Sequence, residues 1–84
     1  MFEHLVPKNF ADELKKLQKF EIVRIKEKLT SAQENPLHYF ERLPGHELFR
    51  IRIGKFRVIA SINFNARTIT LISVGLRKNI YKKL

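Results

Sequence analysis

The chain contains no cysteine, so it forms no disulfide and offers no thiolate to a metal. Nothing in its composition points to an oxidising compartment. No apolar run approaches the ~20 residues needed to cross a bilayer as a helix. The first ten residues, MFEHLVPKNF, lack the basic segment and long apolar stretch of a secretory signal, and the chain reads as cytoplasmic. No histidine–carboxylate pair falls at the spacing of metal ligands, so no metal and no cofactor are expected. Acidic residues stop at Glu47, and none follows.

What remains is small and strongly basic. Eighty-four residues with 44% hydrophobic content are expected to form one packed domain spanning 1–84. A chain of this size buries only roughly 60–65% of the surface its unfolded form exposes, so a partner can add to its stability. Residues 1–40 carry seven Lys/Arg against six Asp/Glu, and residues 41–84 carry ten against two. A balanced half joined to a one-sign half predicts a polyanion-binding surface built from the second half.

Hydrophobic spacing supplies the elements. FEHLV, residues 2–6, reads as a short strand ended by Pro7. Phe10, Leu14 and Leu17 lie on one helical face, and Ile22, Ile25, Leu29 and Ala32 on another, ended by Pro36. Neither Gly nor Pro separates the two sets. A helical hairpin broken near 19–21 and one long bent helix both fit. The charged residues between them, Arg24, Lys26 and Lys28 included, read as a solvated face without a function. Residues 35–47 read as loop that can carry an edge strand.

From residue 48 the period changes to two. LFRIRI (48–53) alternates apolar and basic, Gly54-Lys55 predicts a type II′ turn, FRVIASI (56–62) returns, and TITLISV (68–74) forms a further strand. LRKNIYKKL ends the chain as a short basic helical tail. The β-α-α-β-β-β order predicts an α+β fold, with an antiparallel sheet and the helices packed on one face.

The hairpin raises a physical question. That turn pairs Arg52 with Arg57, with Arg50 two residues along on the same face. Like charges directly opposed destabilise a sheet by on the order of 0.2–1 kcal/mol. No acidic residue lies near them in sequence. A phosphate between the guanidinium groups resolves the conflict, because guanidinium forks donate paired hydrogen bonds and stay charged.

The run LPGHELFRIRIGKFRVIASI, followed by a strand and then VGLRKNIY, resembles the C-terminal half of the RelE/ParE toxin superfamily. The likeness is greatest to RelE-type toxins, particularly compact archaeal members. It implies a small RelE-like domain and a ribosome-dependent, metal-independent endoribonuclease. Such an enzyme cuts mRNA in the A site by attack of a 2′-hydroxyl on the adjacent phosphate. It also implies a catalytic set: Arg50 and Arg52, where the family often has lysines; Arg57, matching the arginine of the G-Y-R strand; Arg77, in V-G-x-R; and Tyr81, matching a terminal tyrosine that stacks on an mRNA base. Lys55, Lys78, Lys82 and Lys83 would contact RNA. Ala60 replaces a frequent tyrosine, and Leu76 a frequent histidine. His46, just before the basic strand, is a candidate proton acceptor, while His4 and His38 carry no assignment. The implied partners are a RelB-like antitoxin, in a toxin–antitoxin hetero-oligomer, together with the ribosome and mRNA. Two rival readings remain: a ParE-like toxin acting on gyrase, and a non-catalytic nucleic-acid-binding module.

Overall fold

The computed structural model describes residues 1–81. Lys82 and Lys83, both expected to contact RNA, lie outside the described residues.

Nine elements follow in the order β1 (Glu3–Leu5), α1 (Lys8–Lys15), α2 (Lys19–Ala32), α3 (Pro36–Tyr39), β2 (Glu41–Arg42), β3 (Phe49–Ile53), β4 (Phe56–Asn63), β5 (Thr68–Leu76) and α4 (Arg77–Ile80). The helical region is a hairpin rather than one long helix. The break falls at 16–18, slightly earlier than the sequence suggested. Its cause is local: the Gln18 N–H donates to Glu21 Oε1 at 3.1 Å, a side-chain cap that starts α2 afresh. Pro36 both ends α2 and supplies the first residue of α3, where its missing N–H costs nothing.

The α+β class holds, but the sheet is mixed rather than antiparallel. Its strand order is β1-β5-β4-β3-β2. β2, β3, β4 and β5 pair antiparallel, whereas β1 pairs parallel with β5, Glu3 opposite Thr68. The crossover from β1 to the far side of the chain runs through all the intervening elements, which no local pattern encodes.

The β3–β4 hairpin has the predicted register, with Arg52 opposite Arg57 and Ile51 opposite Val58. Gly54 takes φ +59, and Lys55 is not among the residues with positive φ, as a type II′ turn requires. The β4–β5 ladder slips at Ile59/Ala60, leaving Ile72 without a partner. This bulge switches the phase of β5. Ile69 and Leu71 face the core before it and Val74 after it, against Ile62, Ala60 and Val58.

The core lies between the sheet and α1–α2. Phe10, Ile25, Leu29 and Ala32 meet Ile51, Ile53, Phe56, Val58, Ile69 and Leu71 there. α1 also runs beside β5, where β1 is too short to cover the edge. Glu13 accepts hydrogen bonds from Ser73 Oγ at 3.0 Å and from the Val74 N–H at 3.2 Å, closing the edge at the bulge. Ile59, one residue off the core phase, faces the other way. It is buried in a second cluster with Leu43 and Ile80. That second cluster decides where the tail goes.

Candidate active site

On the face opposite α1 and α2, alternation aligns two cross-strand rows: Arg52–Arg57–Gly75 and Arg50–Ile59–Ser73. α4 leaves β5 and folds back over this face. Ile80 seats on Ile59 and Leu43, with Leu48 and Tyr81 packed alongside. Gly75 lies beneath it, with Ile80 Cδ1 at an ordinary contact distance of 3.5 Å from where a Gly75 Cβ would stand. The apolar seat is thus what carries the basic tail onto the basic strands.

Its first product is a junction between residues far apart in sequence. Arg50 Nη1 donates to the Tyr81 hydroxyl at 2.7 Å, with the guanidinium carbon 5.9 Å from the ring centre. Glu41, the cross-strand neighbour of Arg50, sits 3.5 Å from Nη2. The bond to Tyr81 raises the Arg50 pKa above its usual value; the charge of Glu41 adds to this, and partial burial opposes it. Arg50 is therefore a fixed cation. Glu41 was not foreseen at this site. Only the two-residue strand β2 brings it there, and so short a strand has no readable period.

Beside this junction is an open depression of about 370 Å³ lined by Leu43, Pro44, His46, Arg50 and Tyr81. His46 belongs to the tight segment after β2, its backbone N–H bonded to Leu43 O at 3.2 Å. It is the imidazole that the fold brings to Arg50 and Tyr81.

The second product lies at the hairpin turn. Arg57 Nη1 donates to Gly54 O at 3.0 Å and to Phe56 O at 2.8 Å, and the Arg77 N–H donates to Lys55 O at 3.3 Å. Three successive carbonyls of the turn are thus taken up by Arg57 and by the start of α4. The expected opposition of Arg52 and Arg57 holds in register, but the Arg57 head is bent onto the turn. Carbonyl dipoles temper the repulsion there. Arg52 is exposed and borders a depression shared with Arg24 and Lys28 of α2. Lys55 lies 3.6 Å from Glu21, and Lys78 is exposed in α4. Among the described residues, Arg52, Arg57, Arg77 and Lys78 have no carboxylate within 4.0 Å. The structure therefore sets an Arg50–Tyr81 junction at one end of this face and Arg57 at the other, with Arg52 at the rim, and it brings the backbone of Arg77 to the Arg57 end. Fixed cations of this kind hold phosphate and stabilise charge that develops on its oxygens.

His4 and His38 lie elsewhere. His4 is half-buried on β1, opposite Ile69, and His38 stands against Tyr39.

The sequence profile described as ParE toxin of type II toxin-antitoxin system, parDE, matches residues 6–81. A curated relative from Methanocaldococcus jannaschii, designated RelE1, is 30% identical over 82 residues, covering 92% of this chain and 91% of its own. The RelB–RelE antitoxin–toxin complex from Methanococcus jannaschii contains a chain that matches with TM-score 0.75 and 28% identity, over 95% of this chain and 98% of that one. The archaeal RelE–RelB complex from Pyrococcus horikoshii shares the fold at TM-score 0.80 and 24% identity, over 93% and 97%.

Proposed function

The chain belongs to the RelE/ParE superfamily of type II toxin–antitoxin toxins, with RelE-like closeness, and on that premise we propose that it is a ribosome-dependent endoribonuclease cutting mRNA in the A site. The observation carrying this reading is the 2.7 Å junction of Arg50 with Tyr81, on a face where Arg52, Arg57 and Arg77 lack carboxylate partners among the described residues. A surface serving stability alone has no reason to fix an arginine on an aromatic hydroxyl beside an open depression, with further arginines near by that have no acid.

In this reading the mRNA phosphate enters between the two ends of the face. The 2′-hydroxyl gives up its proton, the O2′–P bond forms and the P–O5′ bond breaks. O5′ takes a proton, leaving a 2′,3′-cyclic phosphate and a 5′-hydroxyl. Arg57 and Arg77 stabilise the charge growing on the nonbridging and leaving oxygens. Arg50 holds the Tyr81 ring for stacking on a splayed base. Arginine is a poor proton carrier at neutral pH. His46, an imidazole bordering the same depression, is the side chain suited to that task. No metal is required by this scheme.

The structural relatives are toxin–antitoxin complexes, which supports a RelB-like antitoxin as the partner in a hetero-oligomer. The net charge of +9 suits an acidic segment of that antitoxin as well as RNA. No helix among the described residues is long and apolar enough to cross a membrane, in keeping with action in the cytoplasm.

The test is cleavage of mRNA programmed into 70S ribosomes, with ends mapped by primer extension. Wild type should cut within the A-site codon, and Arg57→Ala or Arg77→Ala should slow cutting by about 10²-fold, the usual scale for losing one preorganised donor. Tyr81→Ala should lose both stacking and the Arg50 bond, whereas Tyr81→Phe should lose only the bond. Intact mRNA at stoichiometric folded protein sinks the proposal. The ParE description of the matching profile favours a second reading, inhibition of DNA gyrase, for which a supercoiling assay is decisive.

A further inference from the structure

Helix α2 carries a face that the reading above leaves unused. Phe20, Arg24 and Lys28 recur every four residues and so line one side of the helix. Phe20 is 68% exposed, and no aromatic ring among the described residues packs on it. It borders a recess of about 260 Å³ together with Arg24, Lys55 and Phe56. One turn along, Arg24 and Lys28 wall a depression of about 310 Å³ whose opposite side is Arg52, Ile53 and Gly54. Arg24 reaches across the hairpin, its Nη1 2.7 Å from the position a Gly54 Cβ would occupy.

The electrostatics are one-sided. Among the described residues, Arg24, Lys28 and Arg52 have no carboxylate within 4.0 Å. Two acids border these recesses, Glu21 and Glu27. Glu21 is already engaged, by the Gln18 N–H at 3.1 Å and by Lys55 at 3.6 Å. Glu27 thus stands against three cations without a carboxylate partner, one of which, Lys28, lies 5.3 Å from the centre of the Tyr39 ring. A single exposed phenylalanine needs no explanation. An exposed ring at the end of a cationic rail has the composition of a single-strand binding platform, where bases stack on aromatics and phosphates follow the charges.

We propose that the groove between α2 and the β3–β4 hairpin is a second subsite for single-stranded RNA, with a base stacked on Phe20 and neighbouring phosphates against Arg24, Lys28 and Arg52. The two sites meet at the turn: Arg57 grips Gly54 O from one side, and Arg24 lies over Gly54 on the other. A strand leaving the Arg57–Arg77 end passes the hairpin tip and arrives on α2. The subsite would therefore hold the flank of the cut RNA, and it rests on the reading that this protein engages RNA.

The experiment is fluorescence anisotropy with a labelled twelve-nucleotide oligo(U) and a duplex RNA of the same length, at 50 to 200 mM salt. All three α2 positions are exposed, so alanine there should leave the circular dichroism spectrum unchanged. Arg24→Ala/Lys28→Ala should weaken oligo(U) binding and lower the salt slope by about 1.4, at ~0.7 per phosphate contact on a single strand. Phe20→Ala should weaken binding about fivefold or more, without changing the slope. The chain has no tryptophan, so in Phe20→Trp the new indole, excited at the red edge where tyrosine does not absorb, is the sole reporter, and stacking should quench it. Unchanged affinity and slope in the double variant, absence of quenching, or duplex binding as tight as oligo(U) each overturns the proposal. An antitoxin that loses affinity for these variants while oligo(U) does not would overturn it too, and would reassign the groove to a protein. Ribosomal cleavage separates the two readings. Oligo(U) binding lost in the α2 variants of a chain that never cuts mRNA keeps the subsite and removes the nuclease. Cleavage together with unaltered oligo(U) binding in those variants removes only the subsite.

Discussion

Gly54 concentrates more of the molecule than its size suggests. It takes positive φ in the turn, its carbonyl holds Arg57, and its missing side chain leaves room for Arg24. In Gly54→Ala the Cβ meets only the far end of a flexible arginine, which can swing aside, so the larger cost is the left-handed backbone. That cost is about 1–2 kcal/mol, and each kcal/mol shifts the melting temperature of a domain this size by roughly 4–8 °C. Thermal unfolding followed by circular dichroism checks it; an unchanged melting temperature refutes it. How legible single residues were depended on range. The Arg52–Arg57 pairing follows from alternation and one glycine, both local. Arg50 and Tyr81 entered one candidate set only through family resemblance, and their contact was not foreseen, since no spacing rule joins residues 31 positions apart. Phe20 and Arg24 were passed over because, without the hairpin beside them, they look like any wet helix face.

Among the elements, strands β1, β3, β4 and β5 were legible in the sequence, and residues 35–47 were allowed an edge strand, whereas the exact place of β2 and the parallel pairing of β1 with β5 were not. A two-residue strand has no period, and β1 pairs with a strand from the other end of the chain. The bulge left a trace that is plain in retrospect: the apolar phase of residues 68–76 moves from odd to even positions between Leu71 and Val74. Glu13 secures α1 to that bulge. Glu13→Ala leaves the nearly buried Ser73 hydroxyl and the Val74 N–H without their acceptor. The expected loss is about 1–3 kcal/mol, read as a lower urea midpoint at unchanged m-value. Glu13→Gln, which keeps an acceptor oxygen, should lose less; equal losses would show that the interaction is not this hydrogen bond.

At the scale of the whole molecule, the charge imbalance read from the sequence became a face, and the fold added its dependence on pH. His4 packs β1 against the core with Nε2 buried and unpartnered. Burial holds its pKa below the ordinary 6.5, although a backbone bond at Leu29 opposes the shift. The folded chain thus prefers neutral His4, and the unfolded chain binds the proton more readily. Stability from this residue is complete above 6.5 and declines as pH falls from there toward the lowered folded value. Melting temperatures at pH 8, 6.5 and 5 should fall more steeply in wild type than in His4→Gln. Parallel curves would remove His4 as the cause.

The parallel seam between β1 and β5 also sets an order of events during synthesis. β1 is made long before its partners, Thr68–Thr70, because three helices and three strands lie between them in the chain. Translation at ~5–20 residues per second therefore leaves β1 without its strand partner for several seconds. The Arg50–Tyr81 junction waits longer still, because Tyr81 follows β5 in the chain. A toxin built this way can neither close its sheet nor form its basic junction from the helical half alone.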